Sequence, residues 1–275
     1  MSNFTTQTGF ADVNGAQLYY EISGDGPALT LIHEGIADHR MWDDQVPAFA
    51  ARYRVIRYDL RGYGKSSLPP GPFSMSDDLY KLLQTLGVER TYLLGGSMGG
   101  GIAIDFTLTH PEMVAALIPM AAGISGRPPS PELIAAGERV DQALERDGVD
   151  AANELEMQIW VDGPKRTPDQ VDPTVRKRIA EMNRRALERG SEFERAQYQG
   201  LEPPAIGRLS EVHTPTLVIV GDGDQPSVIE SCALIAQQVP GAREVIMPGL
   251  AHAPNMERPE EFNQLVLDFL AGLPA

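Results

Sequence analysis

Tyr92-Leu93-Leu94-Gly95-Gly96-Ser97-Met98-Gly99-Gly100-Gly101, running into the apolar stretch Ile102–Leu108, decides the fold. An apolar run, a glycine cluster and a helical stretch make a strand, a tight turn and a helix. Within the turn, Gly95-Gly96-Ser97-Met98-Gly99 fits G-x-S-x-G. So sharp a turn forces Ser97 into a strained backbone conformation with its hydroxyl exposed. Side chains two residues to either side would collide, so positions 95 and 99 need glycine. The helix that follows points its amino end at the hydroxyl and favours developing negative charge. As a bare pattern G-x-S-x-G is weakly specific; between a strand and a helix it marks a nucleophile. The bland alternative is a phosphate loop, but neither G-x-G-x-x-G nor G-x-x-x-x-G-K-[ST] fits Gly95–Gly101.

Outward from this turn, strands and helices alternate. Gln17–Ser23 alternates in polarity and ends in the turn Gly24-Asp25-Gly26-Pro27. Leu29–His33, Tyr53–Tyr58, Val114–Met120, Thr216–Val220 and Glu244–Met247 are short apolar runs of buried-strand type. Helical spacing is expected over Met41–Ala51, Ser76–Leu86, Ile229–Gln238 and Pro259–Leu270. The order predicts an α/β fold, a mostly parallel doubly wound sheet with helices on both faces. Residues 124–208 break the rhythm. They open on Gly126-Arg127-Pro128-Pro129-Ser130-Pro131, close near Pro203-Pro204, and hold charged helical stretches such as Pro173–Glu188 without a convincing strand. This predicts a core of residues 1–123, a helical cap of residues 124–208 and a core completed by 209–275. The cap would cover the carboxyl edge of the sheet, where open α/β sheets place ligands.

Composition narrows the partners. With 38 acidic against 23 basic side chains, the formal charge of −15 disfavours nucleic acid and anionic membranes and suits a small neutral or weakly charged molecule. Apolar runs stay short of a bilayer span, and MSNFTTQTGF lacks the features of a signal peptide. Asn3-Phe4-Thr5 fits a glycosylation acceptor, which carries no meaning without secretion. One cysteine, Cys232, in a predicted helix, suits a buried small side chain in a reducing cytoplasm, with neither disulfide framework nor cysteine metal site.

A serine hydroxyl needs a base. His110 and His213 sit at element ends ahead of Pro111 and Thr214-Pro215, His39 in a polar loop, and His33 at a strand end with a structural look. His252, in the loop after the last strand, is placed to reach Ser97. The orienting carboxylate is Asp222 or Asp224 in Gly221-Asp222-Gly223-Asp224, and the other is free to cap the helix near Ser227. The order Ser, Asp, His is that of α/β-hydrolases.

Five landmarks in order make the chain resemble the α/β-hydrolase fold superfamily over essentially its whole length. They are His33-Glu34-Gly35 before Trp42, Asp59-x-Arg61-Gly62-x-Gly64-x-Ser66, the Ser97 turn, Gly221-x-x-Asp224, and His252 ahead of Glu257-x-Pro259. The resemblance implies Asp224 as the acid, a structural Asp59–Ser66 segment, and an oxyanion hole of the Met98 and Gly35 backbone N–H groups. Glu34 departs from it, since relatives carry a small residue there. Its carboxylate either turns into a hydrogen-bonded niche, the preferred expectation, or touches a polar group of the substrate. His33-Glu34 also begins like H-E-x-x-H, but position 37 is Ala and the next histidine is His39, so a zinc peptidase is excluded.

What the resemblance implies is a serine carboxylesterase working through an acyl-enzyme without metal or organic cofactor. Arg40-Met41-Trp42-Asp43 is shared by esterases, lactonases and cofactor-free haloperoxidase-like relatives. An acyl-homoserine or enol-lactonase is therefore the alternative, and a non-catalytic ligand-binding protein the remote one. Met157, Trp160, Met182, Phe193 and Tyr198 are candidates to line the pocket, against the plainer role of gluing the cap to the core.

Overall fold

Leu29, Leu31, Leu93, Leu94, Leu117, Ile118, Val218 and Ile219 are all fully buried, so the strands that carry them need cover on both faces. The computed structural model describes residues 4–193 and 195–273; Asn3 of the acceptor pattern lies outside them. The strands are β1 (Thr6–Val13), β2 (Ala16–Ser23), β3 (Ala28–Ile32), β4 (Arg54–Tyr58), β5 (Gly71–Phe73), β6 (Thr91–Gly96), β7 (Val114–Met120), β8 (Ala196–Tyr198), β9 (Leu217–Gly221) and β10 (Arg243–Met247). The main sheet runs β1-β2-β4-β3-β6-β7-β9-β10, antiparallel at β1/β2 and β2/β4 and parallel from β4 onward.

The helices are α1 (Val46–Phe49), α2 (Met75–Thr85), α3 (Met98–Thr109), α4 (Pro131–Asp147), α5 (Val149–Glu156), α6 (Pro173–Glu188), α7 (Gly190–Phe193), α8 (Pro226–Gln238), α9 (Pro254–Glu257) and α10 (Pro259–Ala271). Leu79, Phe106 and Ile235 of α2, α3 and α8 pack on one face of the sheet; Phe49, Phe262 and Val266 of α1 and α10 pack on the other. Cys232 is buried within α8, and burial pushes its thiol up to about 12. Parallel register sets Ile32 beside Gly95, Gly96 beside Met120 and Met247 beside Gly221. The loops after β3, β6, β7, β9 and β10 therefore open on one edge, and α4–α7 are inserted between β7 and β9.

Three elements depart from expectation. β1 carries no clear sequence signal because TQTGFADV is an edge strand with its outward residues in water, and full-length pairing with β2 is what forms it. The helix expected over Met41–Ala51 is split into a 3-10 turn (His39–Trp42) and α1, because Pro47 fits only the first turn of a helix. The inserted segment does hold a strand, β8, paired with β5 over three residues, too short to show a period.

His39 is also not the polar loop residue the sequence suggests. It is buried, with Nδ1 2.6 Å from Asp59 and Nε2 3.4 Å from Glu21. Asp59 further accepts the backbone N–H groups of His39 and Lys65, and Ser66 donates its hydroxyl to the Asp59 carbonyl. Arg61 forks onto Asp78 of α2. The Asp59–Ser66 segment thus ties the antiparallel strands to the first crossover.

Candidate active site

The turn after β6 carries the strain its sequence implies. Ser97 has φ +50° and ψ −113°, a conformation costing about 1–3 kcal/mol for a residue with a Cβ. It is held there by its N–H donating to Met120 O at 2.8 Å, and Gly101 N–H donating to its carbonyl at 3.0 Å. A Cβ on Gly95 would strike Gly99 O, and one on Gly99 would strike Ile32 O, so both glycines are required by close backbone approach. Ser97 itself stays half-exposed at the amino end of α3. Gly35 lies alongside, a Cβ on it being 3.9 Å from Met98 Cε. Among the described residues, neither the Gly35 nor the Met98 N–H meets an acceptor within the chain.

His252 is buried in the loop after β10, with Nδ1 2.8 Å from Asp224 Oδ2. The second Asp224 oxygen accepts the Gln225 N–H at 2.7 Å, which fixes the carboxylate. Burial works against the charged imidazole, but the Asp224 carboxylate outweighs it and holds His252 up at about 9. Once the ring gives up its second proton, Nδ1 keeps the one it donates to Asp224 and Nε2 becomes an acceptor. The expectation that one aspartate caps the helix after Asp224 fails. Gln225 is the N-cap of α8 without a side-chain bond, Pro226 occupies the first turn, and Asp222 instead accepts the Gly249 N–H at 2.6 Å. Asp222 thereby ties the His252 loop to the end of β9.

Ser97 and His252 line one cavity of about 220 Å³, together with Arg127, Leu133, Trp160 and Val228. No direct hydrogen bond joins them, and such contacts commonly close only on substrate. Trp160 sits in a π-helical turn, Met157–Asp162, and its ring lies 4.6 Å from that of His252. Its carbonyl accepts the His252 N–H at 3.4 Å. A π-turn adds a residue to the helix and re-aims side chains, here placing the indole over the imidazole. A second strained residue lines this cavity, Ala121 at φ +47°, which nothing in its sequence neighbourhood announces.

The remaining candidates scatter. Met157 and Met182 are buried in the cluster that joins α5 and α6 to the sheet, not in the lining of the Ser97 cavity, so they are packing residues. Phe193 packs on Tyr63 and Gly62. Tyr198, largely exposed, packs its ring at a tilt against Phe73 and lines a separate cavity of about 430 Å³ beside α3, with Met98, Ile102 and Leu201. His33 is structural: burial holds it below the ordinary histidine range, Nδ1 donates to the Glu34 carbonyl, and Nε2 accepts the Leu60 N–H.

Glu34 contradicts the expected hydrogen-bonded niche and also does not line the cavity. It is 1% exposed, and neither carboxyl oxygen has a partner. Packing drives it there: the side chain lies against Gly96 beside Met120. Burial pushes its carboxyl up to about 7, with His252 opposing and Asp224 adding to the rise. Glu156 on α5, missed in the sequence, is raised for the same reason and also acts on His252. Among the described residues, Asp38, His39 and Asp59 could together reach a metal ion, but Asp59 is occupied by His39 and Lys65 and Asp38 by Arg40. No helix is long and apolar enough to cross a membrane among the described residues.

Known proteins share this architecture. A hydrolase from Burkholderia vietnamiensis that acts on 2-hydroxy-6-oxononadienedioate and 2-hydroxy-6-oxononatrienedioate is 31% identical over 264 residues, 92% of this chain and 91% of its own. The enol-lactonase of Burkholderia xenovorans superposes with a TM-score of 0.79 at 28% identity, covering 96% of this chain and all of the other. A thermophilic esterase from Thermogutta terrifontis gives 0.77 at 28% identity, over 96% and 98%. Residues 27–259 match the model of the alpha/beta hydrolase fold, and with that span, this sheet and relatives that are hydrolases, the chain belongs to the α/β-hydrolase fold family.

Proposed function

We propose that the protein hydrolyses small carboxylic esters, open-chain or closed as lactones, through an acyl-enzyme on Ser97. The observation that carries this is the strained Ser97 sharing one cavity with a buried His252–Asp224 pair. Ser97 Oγ attacks the carbonyl carbon while His252 Nε2 takes its proton, and Asp224 holds the resulting imidazolium. The tetrahedral oxyanion is received by the Gly35 and Met98 N–H groups, each such donor contributing about 3–4 kcal/mol to the transition state. The proton then passes from His252 to the departing alcohol oxygen, and a water activated by His252 releases the acid. This chemistry needs no metal or organic cofactor.

The small cavity suits a compact ester, and Trp160 would close it over His252. Gly123 and Ile124 line both this cavity and the larger one beside α3. A Cβ on Gly123 would meet nothing within 4 Å, so at this shared point the wall is bare backbone beside open space. An apolar acyl tail passing there would rest against Met98, Ile102 and Leu201. The likeness to an enol-lactonase and to an esterase supports the same reading.

A panel of p-nitrophenyl esters of graded acyl length and of lactones, ring opening followed by proton release, tests it against the Ser97→Ala protein. Turnover of some member by wild type and none by Ser97→Ala is expected; equal turnover by both contradicts the proposal. Failure of a fluorophosphonate to label Ser97 would point to a ligand-binding protein instead.

A further inference from the structure

Glu34 is an unexplained cost near the site. A carboxyl buried without a hydrogen-bond partner is destabilising unless something offsets it, and most buried polar groups have partners. Here both oxygens are orphaned in a residue that is 1% exposed. The backbone of Glu34 is well held: its carbonyl accepts from His33 Nδ1 at 2.7 Å and from the Ala37 N–H at 3.3 Å, and its N–H donates to Met41 Sδ at 3.4 Å. The side chain is then confined against the residue before the nucleophile. A Cβ on Gly96 would lie 2.9 Å from Glu34 Cγ and 3.2 Å from Oε1. A side chain at position 96 would have to displace both Met120 Cε and the Glu34 side chain.

We propose that Glu34 is a positioning residue, a second carboxylate packed behind the Ser97 turn that acts through space on His252 alongside Asp224. It rests on the hydrolase reading above for its use in turnover. The charged groups around it fit. His252 comes from the loop after β10 and Asp224 from the loop after β9; an imidazolium at His252 lowers the Glu34 carboxyl, and the Asp224 carboxylate raises it. From α5, Glu156 acts on His252. His33 on the same strand end is neutral and committed to backbone partners.

An imidazolium forms at His252 when it takes the Ser97 proton, and above about pH 7, where Glu34 is ionised, its anion favours that state more than the ground state with neutral imidazole. Glu34 exchanges no proton with substrate. Lying outside the lining of the Ser97 cavity, it also keeps its charge off the face where substrate binds.

The test is an NMR titration of the His252 ring in wild type, Glu34→Gln and Glu34→Gly. Removing a nearby anion disfavours imidazolium, so the His252 midpoint falls in both variants, by at least about half a pH unit. Titration curves that coincide in all three proteins overturn the proposal, even where the variants melt at a different temperature. The second readout is the rate of Ser97 labelling by a fluorophosphonate against pH. The acid limb moves to lower pH in Glu34→Gln, while the plateau rate falls about three- to tenfold. An unchanged limb counts against Glu34; no labelling of wild type at any pH counts instead against the nucleophile, and the ring titration still decides the role of Glu34.

Discussion

Among the described residues two buried histidine–aspartate pairs stand in different surroundings. His252 and Asp224 are 2.8 Å apart at the carboxyl edge of the sheet; His39 and Asp59 are 2.6 Å apart among β2, β4 and the first 3-10 turn. Each histidine is held up at about 9, against burial, by its carboxylate neighbours. The pair alone is therefore no signature of catalysis. The difference lies in the second ring nitrogen and its surroundings. His39 Nε2 faces Glu21, which also accepts from Arg57 and Tyr19, so every member is satisfied. His252 borders a cavity shared with a strained serine, beneath Trp160 and near an orphaned carboxyl.

Breaking one pair should remove activity, and breaking the other should remove stability. Ser97→Ala is expected to lower kcat by up to about a million-fold, measured on the best ester found, with the melting temperature retained. Asp224→Asn should cost about ten-thousandfold in kcat, because the amide stabilises the wrong imidazole tautomer. His39→Leu is its counterpart. It leaves Asp59 buried without its cation and Glu21 with Arg57 alone, and should cost about 3 kcal/mol in urea unfolding, with the rate per folded molecule close to wild type. If His39→Leu abolished turnover in a folded protein, the division between the two pairs would fail.

Acidity sharpens the same contrast. The folded His39 lies near 9 and an unfolded histidine near about 6.5. Its contribution to stability is thus fully present below about pH 6.5 and is lost as pH rises through about 9. Part of the fall in urea-unfolding free energy across that window should vanish in His39→Leu. His252 titrates in the same direction, but there the visible consequence is kinetic: kcat/KM should climb toward alkaline pH as the base loses its proton. The smallest effect expected is on selectivity. Gly123→Leu fills open space at the point both cavities share, and should lower kcat/KM for octanoyl relative to acetyl esters by about tenfold.

These regions also differ in how legible they are. Residue identity at the Ser97 turn is dictated by backbone collisions, so Gly95, Ser97 and Gly99 could be read without a structure. Asp222 and Asp224 could not be separated locally, because both follow β9 and only the path of the His252 loop assigns Gly249 to one and the imidazole to the other. An apolar stripe does not say which face meets a cavity, which is why Met157 and Met182 belong to packing while Trp160, re-aimed by a π-turn, meets His252. Glu34 is hard to read for a related reason: its direction is set by Gly96 and Met120, far along the chain. His39 resembled loop because its partners Glu21 and Asp59 arrive from other strands.

The most direct measurement is acid-quenched peptide mass spectrometry of the wild-type protein during turnover of p-nitrophenyl acetate. An acetyl group on the peptide bearing Ser97, accumulating in step with the burst of p-nitrophenol and missing from Ser97→Ala, is the expected result. Steady turnover that Ser97→Ala matches, with no acetylated peptide in either protein, would contradict the account.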